Sequence, residues 1–201
     1  MARFRVSLVG ALLIAVLSAQ DKPPARRPAP PAKSSPPDPG AIADGVYRNS
    51  AFGFSYKLPF GWVDRTADMQ DRSSSASTSR VLLASFERPP QATGDDINSA
   101  VIIAAEPLPA GMKTAAEYLE SLSDLTTAKG FKAEEAQELS VGATRLVRGD
   151  FSKPRGTLTM HQTSLVTLAR GYAVSFTFIG GSEDEVSELI EKLSFAARKP
   201  R

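Results

Sequence analysis

Cysteine is absent from the 201 residues, and histidine and tryptophan occur only once each. Without cysteine the chain has no disulfide framework, no thiol nucleophile, no CxxC redox pair and no cysteine-based zinc or iron–sulfur site. A bacterial lipoprotein anchor is not expected either, since lipidation at a signal-peptide cleavage site needs a cysteine there. Packing alone must stabilise the fold, and a domain of about 160 residues buries roughly 68–70% of its unfolded surface.

Most of the chain also lacks an excess of basic residues. The net charge of +2 comes from 24 basic and 22 acidic residues, but residues 41–201 hold 18 basic and 20 acidic ones. The positive excess therefore lies in the first forty residues. A nucleic-acid footprint on the folded domain is not expected, because such a footprint needs clustered lysine and arginine.

Residues 1–19 have the pattern of a secretory signal peptide. Arg3 and Arg5 form a basic start, and an uncharged run of 14 residues, 6–19, follows. This run is shorter than the ~20 residues that span a bilayer as a helix. We expect an exported protein, periplasmic or extracellular, with cleavage after Ser18 or Ala19; membrane attachment is expected only if the signal segment stays uncleaved.

Residues 20–43 are predicted as a disordered, proline-rich linker. Eight of the residues 21–40 are proline, which excludes a helix or a central strand. An extended polyproline-like segment rises about 3.1 Å per residue, so this one reaches up to roughly 60 Å. Pro28–Pro31 and Pro36–Pro39 have the PxxP spacing of polyproline ligands, although a solvated spacer is the expected role.

Residues 44–197 are predicted to form one α+β domain with a central, largely antiparallel sheet flanked by helices, and 198–201 a short tail. Helices are expected after Thr114 and Ser182, because each is followed three residues later by glutamate in a capping box. Apolar patterning predicts strands over 52–58, 81–87, 100–106, 143–151, 156–168 and 172–179. The polar, serine-rich residues 64–80 are predicted to be a loop.

The segment from Tyr47 to Trp62 resembles the opening of PsbP-like domains, with its aromatic residue, asparagine, Gly-Phe-Ser strand and Pro-x-Gly-Trp turn. Arg170–Phe176 and the serine-capped helix that runs to Phe195 resemble the end of such domains. The resemblance covers about residues 44–197 and implies a PsbP-like α/β/α sandwich. Because the family holds a photosystem II extrinsic subunit, a Ran-binding nuclear factor and DcrB-type bacterial envelope proteins, it implies binding or assembly without catalysis.

His161 is the only histidine available for catalysis or metal binding. Strand alternation places it on one face with Thr159 and Thr163, where we expect it to be exposed. A serine hydrolase would lack the G-x-S-x-G elbow, and a zinc site would lack any other histidine or cysteine. A hydrolase that uses His161 is the third and weakest hypothesis.

Three further clusters are better explained by ordinary structure. Asp95–Asp96 lacks the pattern of a calcium loop and fits a turn. Gly180–Ser182 precedes a helix, but the acidic residues 183–185 would repel phosphate. The glutamates of 134–138 are expected to form a solvated face. No catalytic, cofactor-binding or metal-binding residue is predicted, and no cofactor.

Aromatic residues at strand spacing could form the core or line a ligand cavity, and the core is the expected role. They are Phe52, Phe54, Tyr56, Phe60, Trp62, Phe176 and Phe178. The leading hypothesis is an exported, non-enzymatic domain that binds a protein partner in the cell envelope or helps to assemble or maintain that envelope. The alternative is a protein that binds a small apolar ligand in an aromatic-lined cavity.

Overall fold

The computed structural model describes residues 37–73, 79–89 and 96–196. The predicted signal peptide, most of the predicted linker and the 198–201 tail lie outside these residues. The helices are α1 (Thr66–Ser73), α2 (Ala115–Thr127) and α3 (Glu183–Ile190). The strands are β1 (Ala41–Ala43), β2 (Val46–Asn49), β3 (Phe54–Lys57), β4 (Val63–Asp64), β5 (Arg80–Phe86), β6 (Ala100–Pro107), β7 (Lys132–Ala133), β8 (Gln137–Val141), β9 (Thr144–Arg155), β10 (Leu158–Ala169), β11 (Tyr172–Gly180) and β12 (Leu193–Phe195).

The strands form two antiparallel sheets. The larger has the order β4-β5-β6-β11-β10-β9-β7, with β8 also paired to β9. The smaller has the order β1-β2-β3-β12, so the last strand of the domain pairs with one of the first. The predicted α+β class with a largely antiparallel central sheet is confirmed, and the small second sheet is an addition that the patterning did not indicate.

The core lies between the two sheets. Val174, Phe176 and Phe178 alternate along β11 and face the small sheet, where Phe54 and Tyr56 of β3 meet them. The ring centroids of Phe54 and Phe176 are 4.9 Å apart, and those of Tyr56 and Phe178 are 6.0 Å apart. These rings fill the space between the sheets, as expected for aromatic side chains at strand spacing.

Helix α2 covers the other face of the large sheet. Its predicted capping box is present, because the Thr114 hydroxyl accepts from the Glu117 amide while the Glu117 carboxylate accepts from the Thr114 amide. The buried Leu119 packs onto Gly149 of β9, where an added Cβ would lie 3.1 Å from a Leu119 methyl group. The glycine therefore lets the helix approach the sheet closely.

Helix α3 lies on the same face as the small sheet. Ser182 caps its start as predicted, with its hydroxyl accepting from the Glu185 amide at 3.1 Å. The Glu185 carboxylate accepts from the Gly181 amide and from the Ser99 hydroxyl. In a complete capping box this carboxylate would accept from the Ser182 amide, but here it bonds to the amide of the preceding residue. The buried Val186 and Leu189 attach the helix to the core.

Residues 66–73 form a helix, so the prediction of a loop across 64–80 is wrong for these residues; residues 74–78 lie outside the described ones. Helix α1 lies along the edge of β5 that β4 leaves unpaired. The Thr66 hydroxyl accepts from the Ala84 amide at 2.9 Å, and the Gln70 side chain accepts from the Val81 amide at 2.8 Å. These residues are four apart and so share one helix face. The helix forms because its polar side chains accept hydrogen bonds from unpaired backbone amides at the edge of a strand. Apolar periodicity in the sequence does not indicate such hydrogen bonds.

The hairpin of β1 and β2 is tied to the residues that precede it. The Tyr47 hydroxyl donates to the Pro39 carbonyl at 2.7 Å, and the Asn49 amide group donates to the Asp38 carbonyl at 3.0 Å. Strand β1 itself pairs antiparallel with β2, so residues 41–43, which the sequence assigned to the linker, belong to the small sheet.

Candidate functional site

A tight turn between β3 and β4 places one large aromatic side chain in solvent. The Trp62 amide donates to the Pro59 carbonyl at 3.4 Å, and Gly61 has φ +80°. A positive φ at the third position is the requirement of a type II turn, which explains the glycine. Phe60 occupies the second position, and its side chain is 104% exposed. Phe60 therefore lies at the corner of a tight turn and is fully exposed to solvent.

A shallow groove of about 1010 Å³ lies beside this turn. We call it the Phe60 groove. Its walls are the Leu58–Trp62 segment, the β1–β2 turn at Asp44–Gly45, and the C-terminal end of α3. The Leu58 amide donates to the Gly45 carbonyl at 2.8 Å and the Lys57 amide to the Lys192 carbonyl at 3.0 Å. Backbone hydrogen bonds thus hold the three walls together.

The Phe60 groove combines apolar side chains with charged side chains of both signs. Leu58 and Trp62 are half-buried against the core and supply apolar surface beside Phe60. Glu188 and Glu191 also line the groove, at the C-terminal end of α3, together with Asp44, Lys57 and Lys192. Helix C-termini carry partial negative charge, so these carboxylates add to an already negative end. The helix has no basic residue in its last turn, but the Lys192 ammonium, just beyond the C-cap, donates to the Glu188 carbonyl at 3.3 Å.

A second, polar cleft of about 340 Å³ lies between β9, β10 and the start of α3. The Arg148 guanidinium donates to Asp150 at 2.7 Å, and the Thr163 hydroxyl donates to the other oxygen of the same carboxylate at 2.5 Å. Asp150 is thereby held by an ion pair and a hydroxyl. The cleft contains His161, the residue singled out for catalysis or metal binding.

The prediction that His161 is exposed is wrong, because only 23% of its side chain reaches solvent. It shares a face with Thr163, as the alternation indicated, but α3 lies over that face because Val186 and Leu189 anchor the helix there. The His161 Nδ1 atom lies 3.8 Å from a Glu183 carboxylate oxygen. Among residues 37–73, 79–89 and 96–196, no hydroxyl group hydrogen-bonds to His161 and no cluster of three metal-ligating side chains occurs.

The remaining clusters have ordinary structural roles. Asp96 lies beside Arg88, whose guanidinium is 3.9 Å from the carboxylate and also donates to the Asp96 carbonyl; Asp95 lies outside the described residues. The Gly181 amide donates to Glu185, which occupies that donor at the start of α3. The glutamates of 134–138 are exposed.

The aromatic residues divide between core and surface. Phe54, Tyr56, Phe176 and Phe178 are buried, and Phe52 and Trp62 pack partly against them. Phe60 is the exception, and the expectation that it belongs to the core is wrong. The signal that could have identified it is the Pro59-x-Gly61 turn, because connecting turns lie at the surface of a domain.

No protein-family model and no curated protein sequence matches the chain. Solved structures match in fold. The cyanobacterial PsbP (CyanoP) of Synechocystis sp. PCC 6803 aligns with a TM-score of 0.50 at 15% identity, over 78% of this chain and 96% of that one. LpqN of Mycobacterium tuberculosis, described as involved in cell envelope biogenesis, gives 0.43 at 15% identity over 80% and 87%. The Pseudomonas aeruginosa protein PA94, of unknown function, gives 0.39 at 12% identity over 73% and 88%.

Sequence identity this low establishes the fold alone, and the fold assignment rests on the match to CyanoP. Within the described residues, no helix has the length and apolar character needed to cross a membrane. The antiparallel large sheet, with α2 on one face and α3 with the small sheet on the other, agrees with the architecture that the sequence resemblance implied. The domain has the PsbP-like α+β fold.

Proposed function

We propose that this protein is an exported, non-enzymatic domain that binds a protein partner in the cell envelope through the Phe60 groove. The observation that supports this most directly is the complete exposure of Phe60. A phenylalanine ring in water is unfavourable by roughly 1.5–3 kcal/mol relative to a buried one. Phe60 lines the same groove as Trp62 and Leu58, so it is not an isolated exposed apolar residue.

Aromatic side chains at the centre of an apolar patch with a charged rim are the usual anchors of protein interfaces. The groove matches that description, with apolar residues on the turn and charged residues on α3 and on Lys57. Its opening to solvent favours a macromolecular partner over a small molecule, which is normally enclosed on most sides. The export of the protein rests on the signal-peptide pattern of residues 1–19.

The small-ligand alternative loses the feature that motivated it. The aromatic rings proposed to line a cavity contact one another, with Phe54 lying between Phe176 and Phe195 at centroid distances of 4.9 and 6.0 Å. The hydrolase alternative is disfavoured by the surroundings of His161, which lies 3.8 Å from the exposed Glu183 carboxylate. Partner binding is therefore the function that we carry forward.

Quantitative affinity capture from intact envelopes tests the proposal. The wild-type chain, the Phe60→Ser variant and the Leu125→Ser variant serve as baits. Leu125 is the matched control, because it is another exposed large apolar residue, 64% accessible, but on α2 and outside the groove. We expect one partner to be retained by wild type and Leu125→Ser and depleted at least tenfold by Phe60→Ser. Equal recovery by all three baits would contradict a role for the groove.

A further inference from the structure

Residues 38–43 are held against the small sheet by two buried side chains of β2, and we call this segment the strap. Asn49 is 1% exposed, and its side-chain amide donates to the Asp38 carbonyl at 3.0 Å. Tyr47 is 2% exposed, and its hydroxyl donates to the Pro39 carbonyl at 2.7 Å. The Asn49 amide also donates to the Tyr47 hydroxyl at 3.1 Å. Two consecutive carbonyls of the strap are therefore bound by one connected pair of side chains.

Gly40 shows how closely the strap approaches β2. Its φ is +73°, and an added Cβ would lie 2.6 Å from the Arg48 carbonyl oxygen and 2.7 Å from the Tyr47 hydroxyl oxygen. The Gly40 amide donates to the Asp38 carboxylate at 2.9 Å, which stabilises the bend before β1. Glycine alone combines a left-handed backbone with so close an approach. The docked position of the strap therefore depends on a glycine at position 40.

Hydrogen bonds, rather than apolar burial, hold the strap in place. All three residues of β1, 41–43, are exposed, and β1 pairs with β2 over only three positions at the edge of the small sheet. Each hydrogen bond contributes only modestly to stability, because water replaces it when the strap leaves. Segments with few buried apolar contacts are the first to open locally. We therefore expect the strap to be able to leave β2 while the core between the two sheets stays folded.

The strap continues directly into one wall of the Phe60 groove. Asp44 and Gly45, which join β1 to β2, line the groove and have φ +51° and +69°. Two successive positive φ values match a type I′ turn, whose geometry goes with paired strands on both sides. A residue other than glycine keeps such a backbone only where the surrounding structure enforces it. When β1 leaves β2, this turn loses its support, and with it the Gly45 carbonyl that accepts from the Leu58 amide.

We propose that the strap completes the Phe60 groove, so that the groove binds its partner only while residues 38–43 are docked. The inference rests on the proposed function, because it names the element that regulates the same site. The strap is the end of the predicted linker, 20–43, which leads back to the predicted signal segment. Tension on that linker, or a protein bound to it, would draw the strap away from Tyr47 and Asn49. The strap thereby couples the attachment of the domain to the binding capacity of its groove.

Backbone hydrogen exchange in the full-length chain, followed by nuclear magnetic resonance, tests whether the strap holds the groove wall. The variant Gly40→Ala introduces the clash into the strap and changes no core residue. Gly156→Ala is the matched control, because Gly156 has φ +63° in the turn between β9 and β10 but nothing within 4 Å of an added Cβ. We expect Gly40→Ala to accelerate exchange at least tenfold at the Leu58 amide and at the paired amides of β1, with β11 unchanged. Gly156→Ala should leave all three as in wild type.

A second pair of variants tests the side chains that hold the strap. Tyr47→Phe removes the donor to the Pro39 carbonyl and keeps the ring. Tyr56→Phe is its control, because it removes a buried hydroxyl of the same sheet that has no partner among the described residues. We expect faster exchange at the Leu58 amide in Tyr47→Phe only. Unchanged Leu58 exchange in both Gly40→Ala and Tyr47→Phe would overturn the inference, and so would equal acceleration throughout the domain, since the strap would then not open by itself.

Affinity capture from intact envelopes separates this inference from the proposed function. We expect the partner that depends on Phe60 to be depleted at least fivefold by the Gly40→Ala bait and retained by Gly156→Ala. Full recovery by Gly40→Ala, together with faster Leu58 exchange, would overturn the regulatory role of the strap and leave the proposed function standing. If no captured protein depends on Phe60, the proposed function is overturned, whereas faster Leu58 exchange would still support the strap as the element that holds the groove wall.

Discussion

Two phenylalanines six residues apart should respond in opposite ways to truncation. Phe54 is 3% exposed and its ring contacts Tyr47, Phe176 and Phe195, with centroids 4.9–6.0 Å away. Replacing such a residue by alanine costs about 3–5 kcal/mol, from lost burial and from the cavity left behind. Phe60 is 104% exposed, so Phe60→Ala should change the free energy of unfolding by less than about 0.5 kcal/mol.

Urea unfolding followed by far-ultraviolet circular dichroism measures both values. With an m-value of about 2 kcal/mol per molar urea, Phe54→Ala should lower the midpoint by about 2 M, and Phe60→Ala should leave it almost unchanged. If Phe54→Ala does not fold, Phe54→Leu provides a milder truncation at the same position. A loss above about 1 kcal/mol for Phe60→Ala would refute the reasoning, because the ring would then stabilise the fold and its exposure could not be attributed to binding.

Three other substitutions test the description of the fold. Tyr56→Phe should stabilise the protein by about 1 kcal/mol in thermal unfolding, because the buried hydroxyl has no partner among the described residues; a loss of that size would contradict this. Thr66→Ala should cost about 1–2 kcal/mol in urea unfolding by leaving the Ala84 amide without its acceptor, whereas Thr66→Ser should restore most of it. Burial and the hydrogen bond to Glu106 raise the pKa of the Tyr118 hydroxyl above its usual value of 10.0. The contribution of this hydroxyl to the free energy of unfolding is therefore present below pH 10 and is lost as the pH rises further. Unfolding midpoints between pH 8 and 11 should therefore fall less steeply in Tyr118→Phe than in wild type.

The parts of the fold that could be predicted are those where local pattern and tertiary environment agree. The alternation of Val174, Phe176 and Phe178 matches a strand with one face in the core, and both serine or threonine caps lie where the helices begin. Helix α1 could not be predicted, since its stability comes from Thr66 and Gln70 bonding to a strand edge that is distant in sequence. The local sequence pattern cannot indicate a contact with such a distant strand.

In the candidate site, too, some features follow from the local sequence pattern and others depend on distant elements. Alternation predicted the face on which His161 lies, but the exposure of that face depends on α3, which begins more than twenty residues later. Similarly, the sequence predicted a strand over 52–58 and a turn over 59–62, but the aromatic residues of both were expected to belong to the core. Phe60 differs from Phe54 because it lies at the corner of the turn that the positive φ of Gly61 permits, whereas Phe54 lies in strand β3.

The central claim is that a partner protein lies against Phe60 in the cell, and site-specific photo-crosslinking tests it most directly. A photoreactive phenylalanine analogue at position 60 reports contacts at the groove, and the same analogue at position 125 reports an exposed apolar position elsewhere on the domain. We predict a discrete crosslinked species from intact cells at position 60 and none at position 125. No adduct at position 60, or the same adducts at both positions, would contradict the account.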